Sequence, residues 1–259
     1  MNAPKPTHAR VDRIRALLKG IETGDPDSVL VVSPDEYIQH NPQTHSGRSG
    51  LADLFARLAT TSPRVNVVRA FQDGDFVFGH TEYDFSQRRV GFEVFRFEGE
   101  YTVEHWDNIQ LRLGPNPSGH SMVDGTVEAQ DHAMTETNRD IVRSFVNEVL
   151  IGSDFNALGT FVSTGEFIEH APAGLDGFDN LHRTLCDEAA GPDAVAYSRL
   201  HRVLVEGNFA LAGVEGARGG VPSAFYHLYR LADGKIVERW DTIEKIAPPE
   251  EWKHQNGKF

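Results

Sequence analysis

The chain has 259 residues, of which 39% are hydrophobic and 10% aromatic; this composition excludes a disordered protein, and the length suffices for two globular domains. Its 38 acidic and 25 basic residues give a formal charge of -13, and without a cluster of Lys and Arg to release counterions a nucleic-acid partner is not expected. A single cysteine, Cys186, no apolar signal-peptide core in residues 1–8 and no apolar stretch of membrane-spanning length favour a cytoplasmic protein with no membrane partner.

In chain order, the first half predicts helices followed by strands. Apolar residues recur at helical spacing near the start: Val11, Ile14, Leu17, Leu18 and Ile21. A shorter helix is predicted from Gly50 to Leu58, and alternating runs rich in Val, Phe and Tyr follow it. The sequence Asp73-Gly74-Asp75 between two of these runs is typical of a tight turn in an antiparallel hairpin. Helices followed by a strand meander predict an α+β domain.

The same order of signals returns in the second half of the chain. The block YIQHNP at residues 37–42 returns as FIEHAP at residues 167–172, which puts His40 and His170 at an offset of 130. A later block, EHWD at residues 104–107, returns as ERWD at residues 238–241 at an offset of 134, as a loop insertion between the blocks would produce. We therefore predict two tandem copies of one domain, residues 1–113 and 138–259. Residues 114–137 carry Pro, Gly and Ser without periodicity, which predicts a linker.

These blocks resemble those of a known family. The Tyr-x-x-His-x-Pro block and a final hairpin that ends in Gly-Lys-Ile-x-Glu-x-Trp-Asp are similar to the SnoaL-like (polyketide cyclase-like) family of the NTF2-like superfamily, over nearly all of both copies. The resemblance implies α+β cone-shaped barrels, in which a curved antiparallel sheet wraps on helices around an apolar pocket. It also implies that the copies pack sheet to sheet as an internal pseudo-dimer, with further oligomerisation left open.

The resemblance defines the reaction less closely than the fold, because one fold hosts unrelated chemistries. Members described as cyclases close a ring by intramolecular aldol condensation without metal or organic cofactor, using an acidic residue of the last hairpin as acid and base. Other relatives by fold isomerise steroids, open epoxides, dehydrate small molecules or only bind ligands. No cofactor is therefore expected, and a small hydrophobic molecule is the expected partner.

Asp107 and His40 are the predicted catalytic residues. A strand carboxylate that faces an apolar cavity loses solvation, which raises its pKa towards a useful working pH. A period of two places His105 on the same strand face as Asp107. His40 lies where the family has a pocket histidine and is expected to polarise a carbonyl or shuttle a proton; the alternative is a buried histidine bonded to a backbone carbonyl. Gln39 and Asn41 are expected to donate amide hydrogens to an enolate oxygen.

Further residues complete the predicted substrate pocket of the first copy: Tyr37, His80, Phe95 and His105. The alternative for His80 is a surface strand position, and aromatic strand residues are commonly core. A metal site is a minor alternative, because its four ligands are far apart in the sequence: His40, His80, His105 and Asp107.

The second copy predicts a pocket formed by Glu169, His170, Tyr229 and Asp241. Arg239 replaces His105 there and is expected to hold Asp241 as an ion pair, which makes a poorer base. This favours the first pocket as the active one and leaves the second as scaffold or a degenerate site, with its activity left open.

The leading hypothesis is a cofactor-independent enzyme of the cyclase, isomerase or hydrolase type that works on a small apolar carbonyl compound in the first pocket. The rival is a protein that binds a small hydrophobic metabolite without turnover. A third possibility is an interaction domain whose pockets are filled by side chains.

Overall fold

Two α+β units of the same topology follow each other along residues 9–259, the part of the chain described by this computed structural model. This confirms the α+β fold class and the tandem repeat. The expectation about segment 1–8 lies outside the described residues. None of the helices in residues 9–259 is long and apolar enough to cross a membrane.

The first domain packs two helices on one side of a five-stranded sheet. Its helices are α1 (Ala9–Thr23) and α2 (Gly47–Ala59), with a 3-10 turn at Pro26–Val31. Its strands are β1 (Ile38–Gln39), β2 (Arg64–Asp73), β3 (Phe76–Asp84), β4 (Arg88–Glu98) and β5 (Tyr101–Leu111). The order across the sheet is β1-β5-β4-β3-β2, antiparallel except for β1, which runs parallel to β5.

Helical spacing explains the packing of α1. Ile14, Leu17, Leu18 and Ile21 are buried on one face and share a core with α2 and the sheet. The predicted turn after β2 is present, and Gly74 has a φ of 57° there, a conformation that glycine adopts without strain.

The second domain repeats this arrangement with a longer helical layer. Its helices are α3 (Thr135–Phe145), which continues as a π-helical segment (Val146–Ile151), α4 (Leu158–Phe161) and α5 (Phe178–Ala190), with 3-10 turns at His132–Met134, Phe155–Ala157 and Pro249–Glu251. Its strands are β6 (Ile168–Glu169), β7 (Val195–Glu206), β8 (Phe209–Arg218), β9 (Val221–Ala232) and β10 (Lys235–Lys245). The sheet order β6-β10-β9-β8-β7 matches that of the first domain.

The sheet faces that point away from the helices pack against each other. Aromatic and aliphatic side chains from both sheets form one buried cluster, which includes Phe78, Phe92, Trp106, Leu211, Tyr226 and Trp240. Two cation-π contacts cross the interface reciprocally: Arg202 lies 3.6 Å from the ring centroid of Trp106, and Arg69 lies 4.3 Å from that of Trp240.

The segments that follow β5 and β10 each contact the other domain. After β5, in the predicted linker, Asn116 Nδ2 donates to the backbone oxygen of Glu169 at 2.6 Å. After β10, Asn256 Nδ2 donates to the backbone oxygen of Gln39 at 2.9 Å. The linker is thus docked on the second domain, and the segment 246–259 extends the second domain onto the first.

Candidate functional site

A cavity of about 170 Å³ lies between the helices and the sheet of the first domain. Apolar side chains form most of its walls, among them Leu17, Ile21, Leu51, Phe55, Phe95 and Ile109. Polar side chains gather on the sheet: Gln39, Asn41, Glu93, His105 and Asp107. An apolar cavity of roughly 150 Å³ can hold benzene, so this space suits a ligand of about one ring.

Strand register places the polar group. Alternation along β5 turns His105 and Asp107 to the helix side of the sheet, as predicted. Glu93 on β4 pairs with Asp107, and Gln39 on β1 pairs with His105. Three strands therefore bring these side chains together through cross-strand neighbours.

The hydrogen bonds of Gln39 fix the proton positions on His105. Gln39 Oε1 accepts from the backbone N–H groups of His40 and Asn41, both at 3.0 Å. His105 Nδ1 lies 2.8 Å from the same oxygen, so Nδ1 carries a proton and donates it. His105 Nε2 is left to face Glu93 Oε2 at 2.8 Å.

One proton is therefore shared between His105 Nε2 and Glu93. Burial raises the pKa of Glu93; hydrogen bonding to His105 opposes this rise, and the nearby charge of Asp107 adds to it. Tyr83 donates its hydroxyl hydrogen to the other Glu93 oxygen at 2.8 Å. The arrangement places a proton that can be transferred between the Glu93 carboxyl group and His105 Nε2.

Asp107 has the opposite surroundings. Asn41 Nδ2 donates to Asp107 Oδ2, and Lys258 Nζ lies 3.5 Å from Oδ1 and 2.9 Å from Glu244 Oε2. Burial lowers the pKa of Lys258, but Glu244 and Asp107 together raise it above its ordinary value. An ammonium group and an amide donor at one carboxyl favour its ionised form.

The same three acidic and histidine side chains are also close enough to meet one cation. The ligand atoms of Glu93, His105 and Asp107 lie within 4.8 Å of one another. A metal ion would have to displace the partner at each nitrogen of His105 and compete with Lys258 for Asp107. The donor set therefore fits proton transfer better than metal binding, and the four ligands of the predicted metal alternative are not brought together.

The prediction that His40 lines the pocket is wrong. Because Gln39 pairs in parallel with His105, the next residue turns to the other face of the sheet. His40 stacks on Trp106 at 4.7 Å, contacts Glu104 at 2.9 Å and donates from Nδ1 to the backbone oxygen of Gly257 at 2.7 Å. Burial lowers the pKa of His40, which Glu104 opposes. The alternative, a buried histidine bonded to a carbonyl, describes it.

The prediction for His80 is also wrong, because His80 lies between the two sheets. It is fully buried, contacts Arg69 Nη1 at 2.7 Å through Nδ1, and packs edge-on to Phe92. Burial, followed by Arg69, lowers the pKa of His80 well below its ordinary value. Tyr37 is buried and stacks near His105 with ring centroids 6.5 Å apart, but within the described residues it is not part of the cavity lining.

Three residues of the site were not predicted. Glu93 had a signal, since it is the one charged residue within the run 90–95 and shares a strand face with Phe95. Tyr83 carries only the general signal of an aromatic strand residue, and such residues are commonly core. Lys258 had no local signal, because it reaches Asp107 from a segment that follows the second domain.

The second domain has an ion pair where the first has a hydrogen-bonded pair. Arg239 Nη2 lies 2.7 Å from Glu169 Oε2, and both side chains are buried. Asp241 is not held ionised by Arg239, contrary to prediction: burial raises the pKa of Asp241 to about 7 even though Arg239 opposes this rise. His227, the partner of Asp241 across the strands, has no hydrogen bond at either ring nitrogen within residues 9–259.

The four predicted residues of the second pocket do not line a cavity together. Tyr229 packs edge-on to Phe145 at 5.5 Å in the core. His170 repeats the position of His40: it stacks on Trp240 at 4.5 Å and contacts Glu238 at 2.9 Å. A cavity beside α5 measures about 10 Å³, and its lining within the described residues includes neither Glu169 nor Asp241.

Comparison with known proteins shows which domain family and which solved structures the chain is similar to. Residues 14–105 match the family model of the SnoaL-like domain. A solved SnoaL-like polyketide cyclase from Agrobacterium tumefaciens is 17% identical and covers 42% of this chain and 91% of its own, with a TM-score of 0.35. An epoxide hydrolase of the LEH-like type from M. tuberculosis is 20% identical over 42% of this chain and 84% of its own, with a TM-score of 0.35. TsrD from Streptomyces laurentii is 18% identical over 41% and 91%, with a TM-score of 0.36. No curated protein matches the chain significantly.

Two five-stranded sheets, each with helices packed on one side and joined in the same order, define a tandem α+β protein. Residues 14–105 of the first domain are similar to the SnoaL-like domain, and the second domain repeats the topology of the first.

Proposed function

We propose that the first domain is a cofactor-independent acid-base enzyme that acts on a small, largely apolar carbonyl compound. The observation that carries this proposal is the contrast between the surroundings of two carboxyl groups in one apolar cavity. Asp107 faces Lys258 and Asn41, whereas the pKa of Glu93 is raised by burial. A base and an acid beside one ligand-sized space are what enolisation requires.

In this proposal Asp107 removes a proton from the carbon next to the carbonyl group. The electrons of the broken C–H bond move to the carbonyl oxygen, which takes the proton that Glu93 shares with His105. Asn41 donates its amide hydrogen to Asp107 and so orients the carboxylate of the base. Delivery of the Asp107 proton to a different carbon of a conjugated enol, with return of the enol proton to Glu93, completes an isomerisation. Attack of the enol carbon on a second carbonyl group of the same molecule completes a cyclisation, in which the new alkoxide takes the Asp107 proton and the enol proton returns to Glu93.

The test uses hydrogen exchange, because it needs no knowledge of the natural substrate. Cyclohexanone and acetophenone in D₂O are followed by NMR for loss of the hydrogens next to the carbonyl group. We expect the protein to accelerate exchange and Asp107→Asn to remove about 100-fold or more of that acceleration. Asp241→Asn is the matched control, because it makes the same change in the second domain, and it is expected to keep the rate.

Equal rates for the protein and its Asp107→Asn variant contradict the proposal. Binding of either ketone without exchange favours the rival function, a metabolite-binding protein, which the apolar walls would also serve.

A further inference from the structure

We propose that Lys258 is a positioning residue that keeps Asp107 ionised, so that the second domain, through the segment after β10, completes the site of the first. The inference rests on the proposed role of Asp107 as a base. It assigns a task to the second domain, whose own equivalent of the site lacks the acid-base pair.

The geometry of Lys258 supports this assignment. Its side chain is only 2% exposed, and its ammonium group lies 3.5 Å from Asp107 and 2.9 Å from Glu244. A buried ammonium group needs carboxylate partners, and two are provided from different domains. Lys258 therefore joins β5 of the first domain to β10 of the second at the carboxyl group of the proposed base.

The position of Lys258 follows from contacts that hold its segment against the first domain. The neighbouring Gly257 oxygen accepts from His40 Nδ1 at 2.7 Å, and Asn256 bonds the backbone of Gln39. His254 Nε2 lies 2.8 Å from the backbone oxygen of Asn41. The segment thus holds the loop that supplies Gln39 and Asn41 to the cavity, and the same contacts direct Lys258 towards Asp107.

The corresponding segment in the other half of the molecule lacks this charge. The linker makes the corresponding contact with the second domain, because the Ser121 oxygen lies 2.9 Å from His170 Nδ1. The residue that follows Ser121 is Met122, which is buried, whereas the residue that follows Gly257 is Lys258. A buried methionine therefore follows this contact in the second domain, where a lysine follows it in the first.

A second substitution accompanies the first. The backbone N–H of Ile109 donates to Glu244 Oε2 at 2.9 Å, and the backbone N–H of Ile243 donates reciprocally to Gln110 Oε1 at 3.1 Å. Glutamate and lysine at one end thus correspond to glutamine and methionine at the other. The charged pair is specific to the side of the molecule where Asp107 lines the cavity.

Other charged and titratable groups surround this pair. Glu93 and His105 lie within 4.8 Å of Asp107 through their nearest ligand atoms. Tyr226 on β9 and Glu244 on β10 act electrostatically on Lys258, and Arg202 on β7 acts on Tyr226. Among these, Lys258 is the positive group in direct contact with Asp107, so its removal is expected to leave Asp107 beside Glu244 and Glu93 with no opposing charge.

The experiment measures the titration of Asp107 directly. The carboxyl carbons of aspartate are labelled with carbon-13, the Asp107 signal is assigned by its loss in Asp107→Asn, and its pKa is read by NMR in the full chain. We expect Lys258→Met to raise this pKa by about one unit or more, and Lys258→Arg to restore most of the original value. Where ketone exchange is active, its acidic limb should move by the same amount.

A double variant keeps the test valid if Lys258→Met fails to fold. Glu244→Gln combined with Lys258→Met reproduces the neutral pair of the other half. It leaves no unpaired charge at position 244, so the variant should remain folded. Compared with Glu244→Gln alone, this variant should also raise the pKa of Asp107, because the Glu244 charge is then absent from both chains. An unchanged titration of Asp107 in a folded variant that lacks Lys258 overturns the inference, even if exchange activity is present. A shifted titration in a protein without exchange activity supports the inference and defeats the proposed function.

Discussion

The two domains share one backbone arrangement but carry different side chains at the same place in it. In each, a residue of the short parallel strand pairs with a residue of the last strand, and both side chains face the helices. The first domain has Gln39 and His105 there, joined by a hydrogen bond. The second has Glu169 and Arg239, joined as a buried ion pair. The neutral pair leaves His105 a proton to share, whereas the balanced ion pair holds its two charges in place. The pair in the first domain is therefore suited to a reaction, and the pair in the second domain has a structural role.

The two domains also differ in the aromatic ring that packs beside a strand glycine. In the first domain a side chain at Gly91 would meet the ring of Tyr83 at 2.8 Å, so glycine makes room for that ring, whose hydroxyl bonds Glu93. In the second domain a side chain at Gly216 would meet the ring of Phe225 at 3.1 Å. Each domain thus places one ring beside a glycine, but only the ring in the first domain brings a hydroxyl group to a carboxyl group.

The largest expected effect comes from breaking the ion pair of the second domain. Glu169→Gln leaves Arg239 buried without a charged partner, which should cost about 3 to 5 kcal/mol of unfolding free energy. The loss should be greatest near pH 5.5, where Asp241 is protonated, because its pKa is raised to about 7. Urea unfolding at pH 5.5 and pH 8 measures both values.

A double variant sharpens this result. Glu169→Gln combined with Arg239→His gives the second domain the pair found in the first, Gln39 and His105, and should recover at least half of the lost stability. If Glu169→Gln alone is as stable as the parent chain at both pH values, the ion pair does not stabilise the second domain. The contrast between the two pairs then fails.

Asp241→Asn should stabilise the protein, with an effect that depends on pH. The pKa of Asp241 is raised from 3.8 to about 7 in the folded chain, so its contribution is fully favourable below about pH 4 and is lost as the pH rises through 7. Asparagine cannot ionise, so the variant should gain about 4 kcal/mol above pH 7 and little below pH 4. Unfolding measured from pH 4 to pH 8 tests this.

The matched change in the first domain has the opposite sign. Asp107→Asn removes a carboxylate that faces the buried Lys258 and should therefore destabilise the chain at neutral pH. Equal signs for the two variants would show that the two aspartates have similar surroundings, against the comparison.

Sequence patterns were sufficient to predict the fold and to predict which side chains of one strand, β5, face the site. The constant offsets between blocks predicted the repeat, and alternation along β5 put His105 and Asp107 on one side. The two-residue strand β1 is too short to show a period, so nothing in the sequence indicated that His40 turns away from the cavity. Alternation also grouped His80 with Phe78, but which side of a sheet the helices cover is a tertiary property.

Residues that depend on distant contacts were beyond such reasoning. Lys258 lies 151 positions from Asp107, and its segment has no periodicity. Glu93 was within reach, because a charge in an apolar strand run must find a buried partner.

The smallest expected effect lies at the interface, where the reciprocal cation-π contacts are unequal. Arg69 bonds the backbone oxygen of Asp124 at 2.6 Å as well as contacting Trp240. Arg202 contacts Trp106, and its Nη1 is buried without a hydrogen bond in the part of the chain that the structure describes. The burial cost of Arg202 offsets part of its contact energy, so Arg202→Met should lose only about 1 kcal/mol. Arg69→Met should lose about 2 kcal/mol or more, because the Asp124 carbonyl loses one of its two donors and the buried His80 Nδ1 loses its partner. Urea unfolding of both variants decides this: equal losses would mean that the ring contact alone sets the strength of each half of the interface, and that the hydrogen bonds of the docked linker add nothing to it.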